Sequence, residues 1–302
     1  MANKLDSLIE SRSKTNAEVT KILVDEAYGK FNNYFDNIEN QQTADGINMN
    51  SQTPETRNAP RKTGRKGDRN ETDWINPFVK APFQFREAFL SLRTNISFLS
   101  ATNDIKKIIV TSSIPGEGKS SVAVNLALSL SSANNSVLLV DADLRKPRVH
   151  KLLSIADGTK IGLTNVLRDR DSTGEGCIRH KIDNKGLSVI PCGVIPPNPA
   201  EILGSAKLGH LIAKLGEAYD YVIFDTPPVS VVTDAAVLSQ FVDGILFVVR
   251  QKNVTFEQAK LAKGKLEAVN ANILGVVIND FNLKHVDKSD SYYNYYHYGG
   301  KK

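Results

Sequence analysis

The chain is poor in the residues that would place it in several large classes. Among 302 residues there are two cysteines, Cys177 and Cys192. Two thiols make neither a disulfide framework nor a paired metal site, so they read as reduced core thiols of a cytoplasmic protein. No run of eighteen apolar residues occurs, and without one no helix spans a bilayer. The first residues, Met1 to Asp6, lack the apolar stretch of a signal peptide. Excess charge is also missing from most of the chain. The net charge is +5, and the tract from Arg57 to Arg69 alone sets six basic residues against Asp68. The remainder is balanced, which removes the electrostatic footprint of a nucleic-acid-binding domain and points to no nucleic-acid partner.

What is present begins at Ile108. The apolar run Ile108–Val110 leads into Ser113-Ile114-Pro115-Gly116-Glu117-Gly118-Lys119-Ser120, and a helical pattern follows over Val122–Leu130. Strand, glycine loop and helix in that order make a P-loop, whose N–H groups converge on a phosphate. Gly116, Glu117, Gly118, Lys119, Ser120 and Ser121 are therefore candidate nucleotide-binding residues. Lys119 adds a charge on the β/γ-phosphates and Ser120 a hydroxyl ligand for Mg²⁺. Ser113 stands where the motif usually starts with glycine.

Two more apolar runs end in carboxylates. Val137–Val140 is followed by Asp141 and Asp143, and Tyr221–Phe224 by Asp225. Unbroken β-branched runs mark a parallel sheet covered on both faces, and ligands of such sheets sit beyond the carboxyl ends of the strands. The three aspartates are expected to converge near the phosphates, holding Mg²⁺ or taking a proton from a nucleophile.

Strands are predicted at 107–112, 136–141, 187–191, 221–225, 244–249 and 273–278. Helices are predicted at 86–99, 119–131, 205–217, 232–240 and 255–268. Their alternation gives an α/β, doubly wound, mostly parallel sheet of the P-loop NTPase type. Ahead of it, residues 1–37 space apolar side chains as amphipathic helices do, and 38–82, which hold the basic tract, read as a disordered linker. The domain is expected over 83–285 and a flexible tail over 286–302. Five of the nine tyrosines fall in that tail: Tyr292, Tyr293, Tyr295, Tyr296 and Tyr298.

From about Phe83 onward the chain resembles the bacterial tyrosine kinases of capsule and exopolysaccharide synthesis. The likeness rests on the loop with Ser113, on Leu-Leu-Val-Asp141-Ala-Asp143-Leu-Arg145-Lys-Pro, on Val-Ile-Phe-Asp225-Thr-Pro-Pro, and on the tyrosine cluster. Pro196–Glu201 also looks like the family's loop before a helix. The resemblance implies an ATP- and Mg²⁺-dependent protein-tyrosine kinase that phosphorylates its own tail tyrosines. Lys119, Asp141 and Asp143 would be catalytic, with Ser120, Asp143 and Asp225 at the metal. Asp141 is the candidate proton acceptor, although base and metal roles could be exchanged between Asp141 and Asp143. Arg145, Lys146 and Arg148 form a basic patch able to guide an acidic tail or lie on a solvated face.

The implied partners are a separate transmembrane activator, as in the Gram-positive branch, a cognate tyrosine phosphatase, and further copies in a ring. The activator would hold the chain at the inner face of the membrane. The family's ring helix reads Glu-x-x-Arg-x-x-Arg; here it offers Glu87, Leu90 and Arg93. The alternative is a nucleotide switch like the partitioning and septum-site ATPases, gating a membrane partner. Those proteins carry a lysine where this chain has Ile114, and they lack a tyrosine tail.

Overall fold

Continuous β-branched and aromatic runs without polar alternation form strands where both faces are covered. The computed structural model describes residues 81–155, 158, 160–168, 179–180, 186–250 and 253–280, and it turns each such run into a strand, fully buried at 137–141, 187–190 and 221–225 and mostly half-buried at 273–279. The first half comprises α1 (Phe83–Asn103), β1 (Lys107–Ser112), α2 (Lys119–Ser131), β2 (Val137–Asp141), α3 (Val149–Leu152), α4 (Leu163–Arg168), β3 (Arg179–His180) and β4 (Leu187–Ile190). There follow α5 (Pro199–Leu203), α6 (Ala206–Ala218), β5 (Tyr221–Asp225), α7 (Asp234–Leu238), a 3₁₀ turn (Ser239–Phe241), β6 (Gly244–Arg250), α8 (Phe256–Glu267) and β7 (Ile273–Asn279). The expected arm (1–37), the linker up to residue 80 and the tail (286–302) lie outside the described residues.

Seven strands form one sheet in the order β3-β4-β2-β5-β1-β6-β7. All pair in parallel except β3, which runs antiparallel to β4 at the edge. Successive side chains point to opposite faces. Ile108 and Val110 join the layer beneath α1 and α2, while Ile109 joins the opposite layer under α6, α7 and α8. From β1 the chain passes over to β2 and β4 and later returns to β5, so β1 and β5 lie at the switch in strand order. There the carboxyl ends of β1, β2 and β5 open onto one crevice.

Helix α2 carries no charge after Lys119 and is buried from Val122 to Ser131, between the sheet and α1. Phe89 of α1 is fully buried beside Phe85, with ring centroids 4.9 Å apart. The Ser129 hydroxyl donates to the Phe89 carbonyl at 3.1 Å. Arg93 answers from the other helix, its guanidinium donating to the Ser129 carbonyl at 3.0 Å and to the Ser132 hydroxyl at 3.1 Å. It thereby serves one of the carbonyls in the last turn of α2. Leu90 packs half-buried against the same core. Of the three ring-helix positions, two are thus engaged within the chain.

Two boundaries differ from expectation for local reasons. α1 starts at Phe83, straight after Pro82 as N-cap, and runs to Asn103, stopped by Asp104 in the left-handed conformation at φ 51°. The helix predicted over 232–240 begins at Asp234. The Val231 and Val232 N–H groups turn back onto the Pro228 carbonyl first, and the helix ends in the 3₁₀ turn.

Phe89→Ala removes the side chain that α1 buries against α2. It should lower unfolding free energy by about 3–5 kcal/mol, read by denaturant titration as a lower midpoint at unchanged slope.

Candidate nucleotide site

The loop after β1 takes its shape from two glycines. Gly116 (φ 88°) and Gly118 (φ 86°) both occupy the left-handed region, which costs a residue with a Cβ. No neighbour lies within 4 Å of where a Gly116 Cβ would sit, so the requirement there is conformational. Gly118 is the N-cap of α2, and its conformation turns the next amides toward the crevice.

Glu117, between the glycines, is fully buried. Its carboxylate accepts the Ile114 N–H at 2.8 Å and, across the sheet, the Arg250 N–H at 3.1 Å. Burial raises its pKa above the ordinary value, against the hydrogen bonds from Ile114, Arg250 and Ser113. The Glu117 carbonyl accepts Asn279 Nδ2 at 2.8 Å. The Arg250 guanidinium pairs with Asp280 at 2.9 Å. The sequence suggested Glu117 as a nucleotide-facing residue. Its side chain fastens the loop to the end of β6 and its carbonyl to Asn279 of β7, which leaves the backbone N–H to face the crevice.

Lys119 points into the crevice with 12% of its side chain exposed. Its Nζ lies 2.8 Å from Asp143 Oδ2, 3.7 Å from Asp225 Oδ1 and 3.3 Å from the Ser120 hydroxyl. Burial opposes the charge on Lys119, but Asp225 and Asp143 outweigh it and hold its pKa above the usual lysine value. At 3.7 Å the Asp225 contact is purely electrostatic, and both oxygens of that wholly buried carboxylate lack a hydrogen-bond donor. Burial raises its pKa, with the charge on Lys119 pulling the other way.

Asp141 is also fully buried and stands level with Asp225 in the β2–β5 register. One oxygen accepts the Val149 N–H at 3.1 Å, and the other has no partner. Burial first, and the neighbouring Asp225 second, push its pKa well above the carboxylate range.

The three strand ends are tied together. The Ala142 N–H donates to the Asp225 carbonyl at 2.8 Å. The Thr226, Val229 and Ser230 amides donate to the carbonyls of Val110, Ser112 and Ser113. The crevice thus gathers Gly116, Glu117, Gly118, Lys119, Ser120, Asp141, Asp143 and Asp225. Among the described residues no three His, Cys, Asp or Glu side chains form a metal cage by themselves. A divalent cation here would take its other ligands from phosphate and water. The donors present are hard oxygens, namely Ser120 Oγ and the two Asp225 oxygens that lack a hydrogen-bond partner, and they fit Mg²⁺.

Arg145 leaves the expected basic patch. It forks onto Asp234, with Nε to Oδ2 at 2.8 Å and Nη2 to Oδ1 at 3.0 Å. Lys146 and Arg148 stay exposed. Asp234, Asn279 and Asp280 went unnoticed in the sequence. Asp234 opens a helix and reads there as an ordinary first-turn acid, while Asn279 and Asp280 end a strand as turn residues do. Cys192 is buried beside the site. Burial, then Asp141 and Asp143, push its thiol up to about 12. Cys177 and the tail tyrosines lie outside the described residues.

A family model described as ParA, NUBPL iron-transfer P-loop NTPase, matches residues 104–302. The chain is similar to tyrosine-protein kinase YwqD of Bacillus subtilis (strain 168), 40% identical over 211 residues, covering 70% of this chain and 85% of that one. It is 33% identical over 210 residues to the putative tyrosine-protein kinase CapB of Staphylococcus aureus, covering 70% and 89%. Among solved structures, the chimerical protein CapA2B2 superposes with a TM-score of 0.62 at 36% identity, covering 68% of this chain and 87% of that one.

Asp141 yields a pH-dependent expectation. Its pKa in the folded chain lies above the ordinary 3.8, so its ionised form opposes folding. That penalty is absent well below pH 3.8 and grows as pH rises toward the folded value. Asp141→Asn should therefore melt higher than wild type at pH 8 without nucleotide, with the gap closing toward pH 4. Calorimetric melting across that range checks it; an equal gap at both ends contradicts a burial penalty on ionisation.

Proposed function

The chain belongs to the bacterial tyrosine kinases, protein-tyrosine kinases built on a P-loop NTPase fold, and from that premise we propose how its own residues carry the reaction. The substrates are ATP and tyrosine hydroxyls, foremost those of Tyr292, Tyr293, Tyr295, Tyr296 and Tyr298. The observation that carries this reading is the single buried Lys119 set among Asp143, Asp225 and Asp141 at the mouth of a glycine loop.

The amides of Gly116 to Ser121 hold the phosphates, and Lys119 neutralises charge on the β/γ oxygens. In reaching them, Lys119 gives up its 2.8 Å contact with Asp143. Ser120, Asp143 and Asp225 would hold Mg²⁺, which supplies charge neutralisation on the transferred group. Asp141 accepts the phenolic proton. A phenol with a pKa near ~10 gives up its proton to a carboxylate only with difficulty. The raised proton affinity of Asp141 narrows that gap.

The process served is capsule or exopolysaccharide synthesis. A transmembrane activator holds the chain at the inner membrane face and completes the site, a tyrosine phosphatase reverses the modification, and copies assemble in a ring. Leu90 and Arg93 are engaged within the chain, which favours small species when the activator is absent. The described part supports the domain reading of 83–285. The switch-type alternative is disfavoured by Ile114, which offers no cation where those ATPases carry a lysine, and by the tyrosine-rich tail.

Transfer between subunits is expected. Tyr292 lies twelve residues beyond Asp280, a reach of at most ~40 Å. Incubation with ATP and Mg²⁺, with and without the activator's cytoplasmic segment, should place phosphate on the five tail tyrosines by mass spectrometry.

Lys119→Met should reduce this at least about a hundredfold, since the charge on the phosphates is removed. A Lys119→Met chain mixed with an active chain lacking 290–302 should still gain phosphotyrosine. If only the intact active protein is labelled, transfer is confined to one chain.

A further inference from the structure

Asp143 is held by groups of two kinds. Oδ2 faces Lys119, while Oδ1 accepts the N–H groups of Arg145 at 3.3 Å and Lys146 at 3.0 Å, closing the loop after β2 back on itself. The loop is seated by Ala142 and Leu144, both fully buried, and by the Val149 N–H on Asp141. Beyond those contacts its exit is gripped by Arg145. Its guanidinium forms two parallel bonds, 2.8 and 3.0 Å, to a carboxylate 89 residues later in the chain.

That carboxylate is itself immobile. Asp234 is fully buried at the start of α7, and Ala235 and Leu238 of the same helix are buried in the core layer beneath. α7 follows Asp225 by way of the segment whose amides are pinned to β1. The Arg145–Asp234 pair is thus a strut from the loop that carries Asp143 to the loop that carries Asp225.

We infer that Arg145 and Asp234 are positioning residues for phosphoryl transfer, setting where Asp143 stands relative to Lys119 and Asp225. The inference rests on the reading of these three as the phosphate and metal face. A planar fork matched to a carboxylate fixes direction as well as distance, which a lysine ammonium does not. Arg145 is 39% exposed on its side chain while Asp234 is fully buried, so losing Arg145 alone orphans a buried carboxylate, whereas replacing both partners by apolar groups is close to neutral for folding. A shift of about an ångström at a reacting centre costs up to roughly a hundredfold in rate.

The test compares three full-length chains: wild type, Arg145→Lys, and the double variant Arg145→Met with Asp234→Leu. The lysine keeps the charge and loses the fork. The double variant leaves no orphaned buried carboxylate, which keeps folding separate from positioning. Two quantities are read beside melting temperature. One is the affinity for ADP without and with Mg²⁺, and the other is the kcat and KM of tail phosphorylation.

Both variants should melt close to wild type and bind metal-free ADP as wild type does, because the glycine loop is untouched. The tightening on adding Mg²⁺ should shrink, and kcat should fall roughly ten- to a hundredfold with a smaller change in KM. If Mg²⁺ tightening and kcat stay within twofold of wild type in both variants, or if losses merely follow melting temperature, the inference is overturned. If the wild type labels no tyrosine, the kinase reading of the tail fails. The ADP titration still decides the role of the pair.

Discussion

One buried ammonium among three buried carboxylates governs this structure. Lys119 meets Asp143 at 2.8 Å and Asp225 at 3.7 Å, while Asp141 stands beside Asp225 with one oxygen unpartnered. Ionised groups taken out of water need compensation, and here the compensation is incomplete. The fold tolerates the deficit because parallel strands must end somewhere, and their carboxyl ends at the switch point face a crevice rather than a packed layer. The site is short of positive charge and rich in hard oxygen, the condition a divalent cation on a polyphosphate relieves.

Much of the fold was legible because burial on both faces leaves a simple mark. β1 and β5 coincide with their predicted spans, and α2 runs over 119–131 as expected. These segments are unbroken apolar stretches whose ends carry chemistry. The pieces that escaped notice are α3, α4, α5 and β3, each six residues or fewer, too short to show a period. In the site, Lys119, Ser120, Asp141, Asp143 and Asp225 were readable because each sits at a fixed offset from a strand end. Asp234 was not, because its meaning comes from Arg145, 89 residues away, and a contact of that separation leaves no local pattern. The bonds of the Glu117 side chain were unreadable for a related reason, since Arg250, its partner across to β6, lies 133 residues away.

Glu117 and Arg145 perform comparable tasks on opposite walls of the crevice. Each extends from a loop to a neighbouring strand or helix. Glu117 reaches the amide of Arg250 at the end of β6, and Arg145 reaches Asp234 on α7. The amides of the glycine loop and the loop that carries Asp143 therefore have separate supports, which meet at Lys119.

The anchoring of Asp280 to Arg250 has a consequence for how substrate reaches the site. Arg250 also approaches the Gly116 carbonyl, at 3.4 Å, so the root of the tail is a fixed point on the wall of the phosphate loop. If the five tail tyrosines are substrates, a tether of a dozen residues from that point would give them an effective concentration at their own site on the order of millimolar. A neighbouring chain matches that only within an assembly. For a tail to be handed across, assembly must raise the neighbour's local concentration to the same level, or the tether must approach from a side that the chain's own crevice does not face. Selectivity between the two routes is then a property of tether direction and assembly geometry, separate from the chemistry of the tyrosines themselves.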